Sequence, residues 1–423
     1  MNKLANKLAI DGGPPAISTP LPHTFPGGFR IGSDEEIAVL EVLRGKNLNR
    51  YGDDRRGPSR SQQLETAFAA HMGAKYCVAV SSGTAALQCA MAAVGVGPGD
   101  EVIVPAYTWI ATPGAALFAG AVPVIAEIDA SLTLDPADVA RKITLRTRAI
   151  AAVHMRGGPC RMDELRALAQ THGLKLIEDT AQAVGASYRG ARLGTLGDVG
   201  AYSLQFSKII TAGEGGLVVT QDAALWKRTL MYHDVVGGLH YGLAAEDMLP
   251  GLSMRLSELH SAVALSQLSK LDRILMDLRH NRTIVKSGIA DVLTRKGLSV
   301  RDEPDPAGDA GVCLVVFMPS ASIAARTAAA LEAEGAHAFQ IYSGQVDYHV
   351  YCEWTPLANK RSWAPDNAPW PSQVHPQTLD RSLCPQSVAL LTRAVHIDIS
   401  PDLTADQVEE LTDAVIKVLD ALG

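Results

Sequence analysis

Lys208 closes the run Ala201-Tyr202-Ser203-Leu204-Gln205-Phe206-Ser207-Lys208 and precedes a glycine-rich turn, Ala212-Gly213-Glu214-Gly215-Gly216. Upstream, Ile177-Glu178-Asp179-Thr180-Ala181-Gln182 reads as an apolar strand that stops at acidic residues. A lysine amine condenses with an aldehyde to an imine, and a buried carboxylate keeps a pyridine nitrogen protonated. Pyridoxal phosphate chemistry needs both groups, so the pair points to an enzyme that uses that cofactor.

Smaller signals accompany them. Ser81-Ser82-Gly83-Thr84 lies between a predicted strand and a predicted helix. A glycine there lets backbone approach an anion, and the helix start offers free N–H groups. Thr84 adds a hydroxyl. The same residues also cap helices that bind nothing. Trp109 follows a strand end, where an indole stacks on a pyridine ring or packs into a core. Asp179 ends its strand where open α/β sheets bind ligands; capping the next turn is its other reading. Gln182 reaches either the ring oxygen of a cofactor or local backbone. Ser203 offers a second hydroxyl for a phosphate. Five independent structural explanations for a phosphate turn, an aromatic, an acid, a serine and a lysine in this order are together improbable.

The elements that must position these residues alternate. Helices are predicted over 33–43, opened by a capping box at Ser33-Asp34-Glu35-Glu36, and over 62–72, 84–94, 111–119 and 162–171. Strands are predicted over 76–80, 101–105, 122–128, 149–154, 175–178 and 217–220. Such alternation implies a mostly parallel sheet covered on both faces. A long helix over 256–275 is expected to lead into a smaller α+β unit, with a strand at 312–318 and helices at 321–334 and 405–422. The expected domains are an N-terminal arm (1–32), a large α/β domain (33–275) and a small C-terminal domain (276–423). Segments 47–60 and 344–384 read as loops that line a site entrance; His349, Tyr351, Trp354 and Trp363 are candidates there, each read as structural or interfacial in preference to substrate contact.

The chain has 423 residues, 47% of them hydrophobic and 20% charged, and a formal charge of −7. That balance argues against a general nucleic-acid binder. Six cysteines (Cys77, Cys89, Cys160, Cys313, Cys352, Cys384) show no paired spacing, and neither C-x-x-C nor H-E-x-x-H occurs, so no metal site is expected. No apolar run is long enough to span a bilayer, and residues 1–10 lack a signal-peptide core. The expectation is a cytoplasmic protein.

At Ser82-Gly83-Thr84, Thr108-Trp109, Glu178-Asp179-Thr180-Ala181-Gln182, Gly197-Asp198 and Ser203 through Gly216, the chain resembles the sugar and cyclitol aminotransferases of the DegT/DnrJ/EryC1/StrS family. The resemblance spans nearly the whole chain. It implies a fold-type I pyridoxal 5′-phosphate transferase: a mostly parallel seven-stranded sheet between helices, plus a smaller α+β domain. It also implies roles. Lys208 holds the cofactor as a Schiff base and then shuttles protons, and Asp179 pairs with the pyridine nitrogen. Trp109 stacks on the ring, and Gln182 meets its phenolic oxygen. Gly83, Thr84 and Ser203 bind phosphate. Family members are usually homodimers in which an asparagine of a Gly-x-Asn-x-Arg stretch completes the partner's phosphate site. Here the stretch is Gly251-Leu252-Ser253-Met254-Arg255, with Ser253 at that place. Arg156, in His154-Met155-Arg156-Gly157, is unusual for the family and reads as a surface ion pair or a donor-carboxylate contact, the former preferred.

The expected activity is transfer of an amino group from L-glutamate or L-glutamine to a ketone of a sugar, cyclitol or related natural-product intermediate. It runs in two half-reactions through pyridoxamine 5′-phosphate. Dehydration or aromatisation of the aminohydroxybenzoate-synthase type, and a non-catalytic regulator that binds the cofactor, are the alternatives.

Overall fold

The computed structural model describes residues 7–24, 26–52, 57–361 and 378–422. Nine strands lie in the first half: β1 (Tyr76–Val80), β2 (Glu101–Pro105), β3 (Val122–Ala126), β4 (Thr147–Val153), β5 (Lys175–Asp179), β6 (Ser187–Tyr188), β7 (Ala191–Arg192), β8 (Val199–Ser203) and β9 (Gly216–Thr220). Seven form one sheet in the order β1-β9-β8-β5-β4-β2-β3, and β6 and β7 form a separate hairpin. Only β9 runs against its neighbours in that sheet. Pro123 is tolerated because β3 is an edge strand.

Parallel strands need helical crossovers, which bury both faces of the sheet. The side chains obey that rule with period two. Ile103, Ile150 and Leu217 enter one core with Leu64, Phe68 and Met72 of the Arg60–Met72 helix. Val102, Val104, Ala149 and Val218 enter the other with Ala86, Ala90 and Leu87 of the Gly83–Ala93 helix. The fold class is therefore the expected α/β architecture.

The second half holds β10 (Ser299–Val300), β11 (Cys313–Phe317), β12 (Ala338–Gln340) and β13 (Ala394–Asp398), an antiparallel sheet in the order β10-β11-β13-β12. The Ala321–Ala333 and Ala405–Leu422 helices pack with it. Residues 7–24 contain one short 3-10 turn at Ala9–Asp11. The buried Glu334 ties them down by accepting the amides of Ala9 and Ala16, each at 2.8 Å, and pairs with Lys417 at 2.9 Å.

Two local expectations need correction. Gly32, not Ser33, precedes the first turn of the Ser33–Gly45 helix, and the Glu35 carboxylate takes the Gly32 amide at 2.8 Å. The single helix expected over 256–275 is two, Glu258–Leu268 and Leu271–Gly288, parted at Ser269-Lys270. Among the described residues no helix is long and apolar enough to cross a membrane.

Candidate active site

The carboxyl ends of β1, β2, β5 and β8 open onto one cavity of about 370 Å³. Open α/β sheets place their ligands on this side. Ser82 follows β1 and caps the Gly83–Ala93 helix, its Oγ accepting the Ala85 amide at 3.0 Å. The amides of Gly83 and Thr84 belong to the first turn and have no intrahelical acceptor. They face a wall that also contains Ser203. A Cβ on Gly83 would lie 2.7 Å from the Ser203 Cβ, so only glycine allows this approach.

Asp179 ends β5 and is buried. Thr112 Oγ1 donates to its Oδ2 at 2.8 Å, and the Ala181 amide to its Oδ1 at 3.1 Å. Burial pushes its pKa up, against the lowering effect of those hydrogen bonds and of Lys208. Lys208 sits on the loop between β8 and β9, half-buried. Burial lowers its pKa; Asp179 opposes that shift and Arg156 adds to it. The loop is fixed locally. Its Ala212 amide reaches the Leu204 carbonyl at 2.8 Å, and Gln205 Oε1 accepts the Ser207 amide and hydroxyl at 2.9 and 2.6 Å.

Trp109 remains 46% exposed, which leaves a ring face available. Its ring lies 4.9 Å from that of His349. Gln182 accepts the Arg156 amide at 3.0 Å through Oε1, and its Nε2 has no hydrogen bond among the described residues. Lys208, Asp179, Gly83, Thr84, Trp109, Gln182 and Ser203 thus all line one cavity, as does His349.

Other expectations fare differently. Ser253 lies outside this cavity, in a second cleft with Asn49, Tyr51 and Arg255. The described residues of segment 47–60 contribute to that cleft and not to the Lys208 cavity. Tyr351 and Trp354 are fully buried core residues, and Trp363 lies outside the described residues. Arg156 is not a surface ion pair. It is half-buried with φ 53°, and its Nε donates to Tyr107 Oη at 3.0 Å.

Sequence reasoning missed Thr112, the direct partner of Asp179. Its signal was the pairing Thr108/Thr112, one helical turn apart after β2, whose hydroxyls lie 2.8 Å apart. It also missed the support beneath Asp179. Glu178 accepts the amides of Gly194, Leu196 and Gly197 at 2.6–2.8 Å and meets His154 Nε2 at 3.1 Å. The Cys160 amide donates to His154 Nδ1 at 3.1 Å, so the ring proton sits on Nε2 and points at Glu178. Among the described residues no group of His, Cys, Asp and Glu has the makings of a metal site.

The chain is similar to several known proteins. An L-glutamine:2-deoxy-scyllo-inosose aminotransferase of Streptomyces paromomycinus is 38% identical over 300 residues, 68% of this chain and 69% of its own. The crystal structure of 3-amino-5-hydroxybenzoic acid synthase superposes with TM-score 0.76 at 26% identity, over 96% of this chain and 100% of its own. The S. venezuelae DesV structure, in complex with a ketimine intermediate, gives TM-score 0.72 at 31% identity, over 91% and 94%. The model of the DegT/DnrJ/EryC1/StrS aminotransferase family matches residues 30–416. On these grounds the chain belongs to the DegT/DnrJ/EryC1/StrS aminotransferase family.

Proposed function

We propose that this aminotransferase holds pyridoxal 5′-phosphate in the Lys208 cavity and transfers an amino group from L-glutamine to a cyclitol ketone. Transfer takes two half-reactions, with pyridoxamine 5′-phosphate between them. The observation that carries this reading is the convergence of seven predicted residues, from phosphate turn to lysine, on one cavity. The activity of the L-glutamine:2-deoxy-scyllo-inosose aminotransferase relatives supports the donor and the acceptor class.

The cavity suits the cofactor. Asp179 is a buried carboxylate whose hydrogen-bond partners among the described residues are neutral, a hydroxyl and an amide. The gap between Gly83 and Ser203 is a cradle that a Cβ would fill. Bound there, pyridoxal phosphate supplies the electron sink for amine transfer. The Gly83 and Thr84 amides and the Thr84 and Ser203 hydroxyls bind its phosphate. Asp179 holds the proton on the ring nitrogen. Trp109 would stack on the ring, and Gln182 Nε2 would donate to its oxygen. Lys208 Nζ anchors the group and then moves the proton at the substrate carbon. Its lowered pKa increases the unprotonated share that such a base needs.

The reading extends to the assembly. Ser253 lies apart from the cavity of its own chain, so its phosphate contact is proposed across a homodimer. The exposed apolar residues Val235, Leu239, Leu249 and Leu252 support a covered surface near it. The cytoplasm is the proposed location.

The experiment is a spectrum before and after L-glutamine, with L-glutamate as comparison. The intact protein should lose the absorbance of the lysine-bound cofactor and gain that of the amine form. Lys208→Ala should abolish both turnover and the lysine-bound absorbance. Unchanged turnover in that variant removes the assignment. The likeness to 3-amino-5-hydroxybenzoic acid synthase favours one second reading, dehydration with aromatisation. Release of water from a ketone without amine transfer would select it.

A further inference from the structure

We propose that Arg156 receives the α-carboxylate of the amino-acid donor and so selects donors for the reaction proposed above. The inference rests on that reading and assigns a residue that the family pattern leaves open.

Four observations carry it. First, the backbone of Arg156 is held in the left-handed region, φ 53°, which disfavours a residue with a side chain. Such strain persists only where the surroundings enforce it. They do. Its amide donates to Gln182 Oε1 at 3.0 Å, and its carbonyl accepts Arg301 Nη2 at 3.2 Å. Arg301 is itself buried and paired with Asp309 at 2.6 Å.

Second, the guanidinium is aimed by one contact and left otherwise open. Nε donates to Tyr107 Oη at 3.0 Å, and Cζ lies 5.3 Å from the centre of the Phe339 ring. Among the described residues neither terminal nitrogen has a hydrogen-bond acceptor, and no carboxylate stands at ion-pair distance. Two acids in its electrostatic surroundings are already engaged: Asp347 with His349 Nδ1 at 2.8 Å, and Asp398 with His396 Nε2 at 2.6 Å.

Third, the residue flanks the reaction cavity. Gln182, which takes its amide, lines that cavity, and so does His349, whose ring lies 6.4 Å from Tyr107. The Arg156 charge also helps lower the pKa of Lys208.

Fourth, the chemistry selects the ligand. A half-buried guanidinium without a counter-ion calls for an anion. Two coplanar N–H groups match the two oxygens of a carboxylate. A cyclitol ketone offers hydroxyls and no charge, whereas every amino-acid donor brings an α-carboxylate.

The test titrates the cofactor-loaded protein with L-glutamine and with L-glutaminol, which keeps the amine and replaces the carboxylate by an alcohol. The readout is the donor concentration that half-completes the spectral change. Arg156→Met should raise that value for L-glutamine about tenfold or more and leave the value for L-glutaminol near that of the intact protein. Arg156→Lys and Tyr107→Phe, which keep a cation, should fall between, and they carry the test if the methionine variant does not retain cofactor. Equal weakening toward both compounds, or an unchanged value for L-glutamine, overturns the assignment. Failure of the intact protein to respond to any amino acid would instead remove the aminotransferase reading on which it rests.

Discussion

The carboxyl of Asp179 is buried, and its surroundings disfavour the ionised form. Burial raises its pKa, and in the protein alone the hydrogen bonds from Thr112 and Ala181 and the charges of Lys208 and His154 offset this only in part. A carboxyl whose native pKa exceeds its unfolded value contributes most below the unfolded pKa, and that contribution is lost as pH rises through the native pKa. Cofactor-free Asp179→Asn should therefore melt higher than the parent at neutral pH, with the gap shrinking as pH falls through the titration of Asp179. The same variant, loaded, should lose about 10²-fold or more in kcat, because an amide does not hold the ring proton. A parallel pair of melting curves and a steady-state assay check both. Gly83→Ala adds a methyl against Ser203 and should cost about 1–3 kcal/mol, read by denaturant unfolding. Lys208 and Asp179 were legible from sequence because their types contrast with their apolar flanks. Thr112 was not, since its partner lies 67 residues away and nothing local announces it.

Among the elements, the turn after β4 decides most. His154 to Gly158 carries Arg156 in its strained conformation, and Arg301 holds the carbonyls of Met155 and Arg156 at 3.3 and 3.2 Å. Gly158 leaves room for that guanidinium: a Cβ there would stand 3.0 Å from Arg301 Nη2, so the paired side chain would have to shift. Arg301→Met should cost about 3–5 kcal/mol, because Asp309 is left buried without its partner. Urea unfolding measures this, and a loss under 1 kcal/mol would mean that the pair behaves as an exposed one. β1 to β5, β9 and β11 were legible within a few residues because their apolar runs are bounded by turn residues, whereas β8, β12 and β13 were not expected as strands. The helix break at Ser269-Lys270 was not. Leu268, Leu271 and Leu275 continue an apolar stripe across it, and neither glycine nor proline marks the interruption. Arg156 was misplaced for a similar reason. Its backbone conformation and its contact with Tyr107 arise from packing, and the residue type alone suggested solvent.

At the scale of the molecule, the proposed homodimer has its own test. Leu252 is 47% exposed beside Ser253. Leu252→Asp should shift the sedimenting species from dimer to monomer and weaken cofactor retention about tenfold or more. A monomeric variant that keeps the cofactor as firmly as the parent would exclude Ser253 from the phosphate site. Sequence alternation made the parallel sheet legible, but not the insertion of β9 between β1 and β8, which joins strands distant in the chain. That insertion sets a dimension. Gly216, where β9 begins, abuts the Ser82 carbonyl, while Gly83 abuts Ser203. The turn at Ser82-Gly83 and the end of β8, from which the chain leads to Lys208, are therefore tied together through a few backbone atoms, and the span between them acts as a gauge. For the proposed cofactor, that gauge would fix the reach from its phosphate to Lys208.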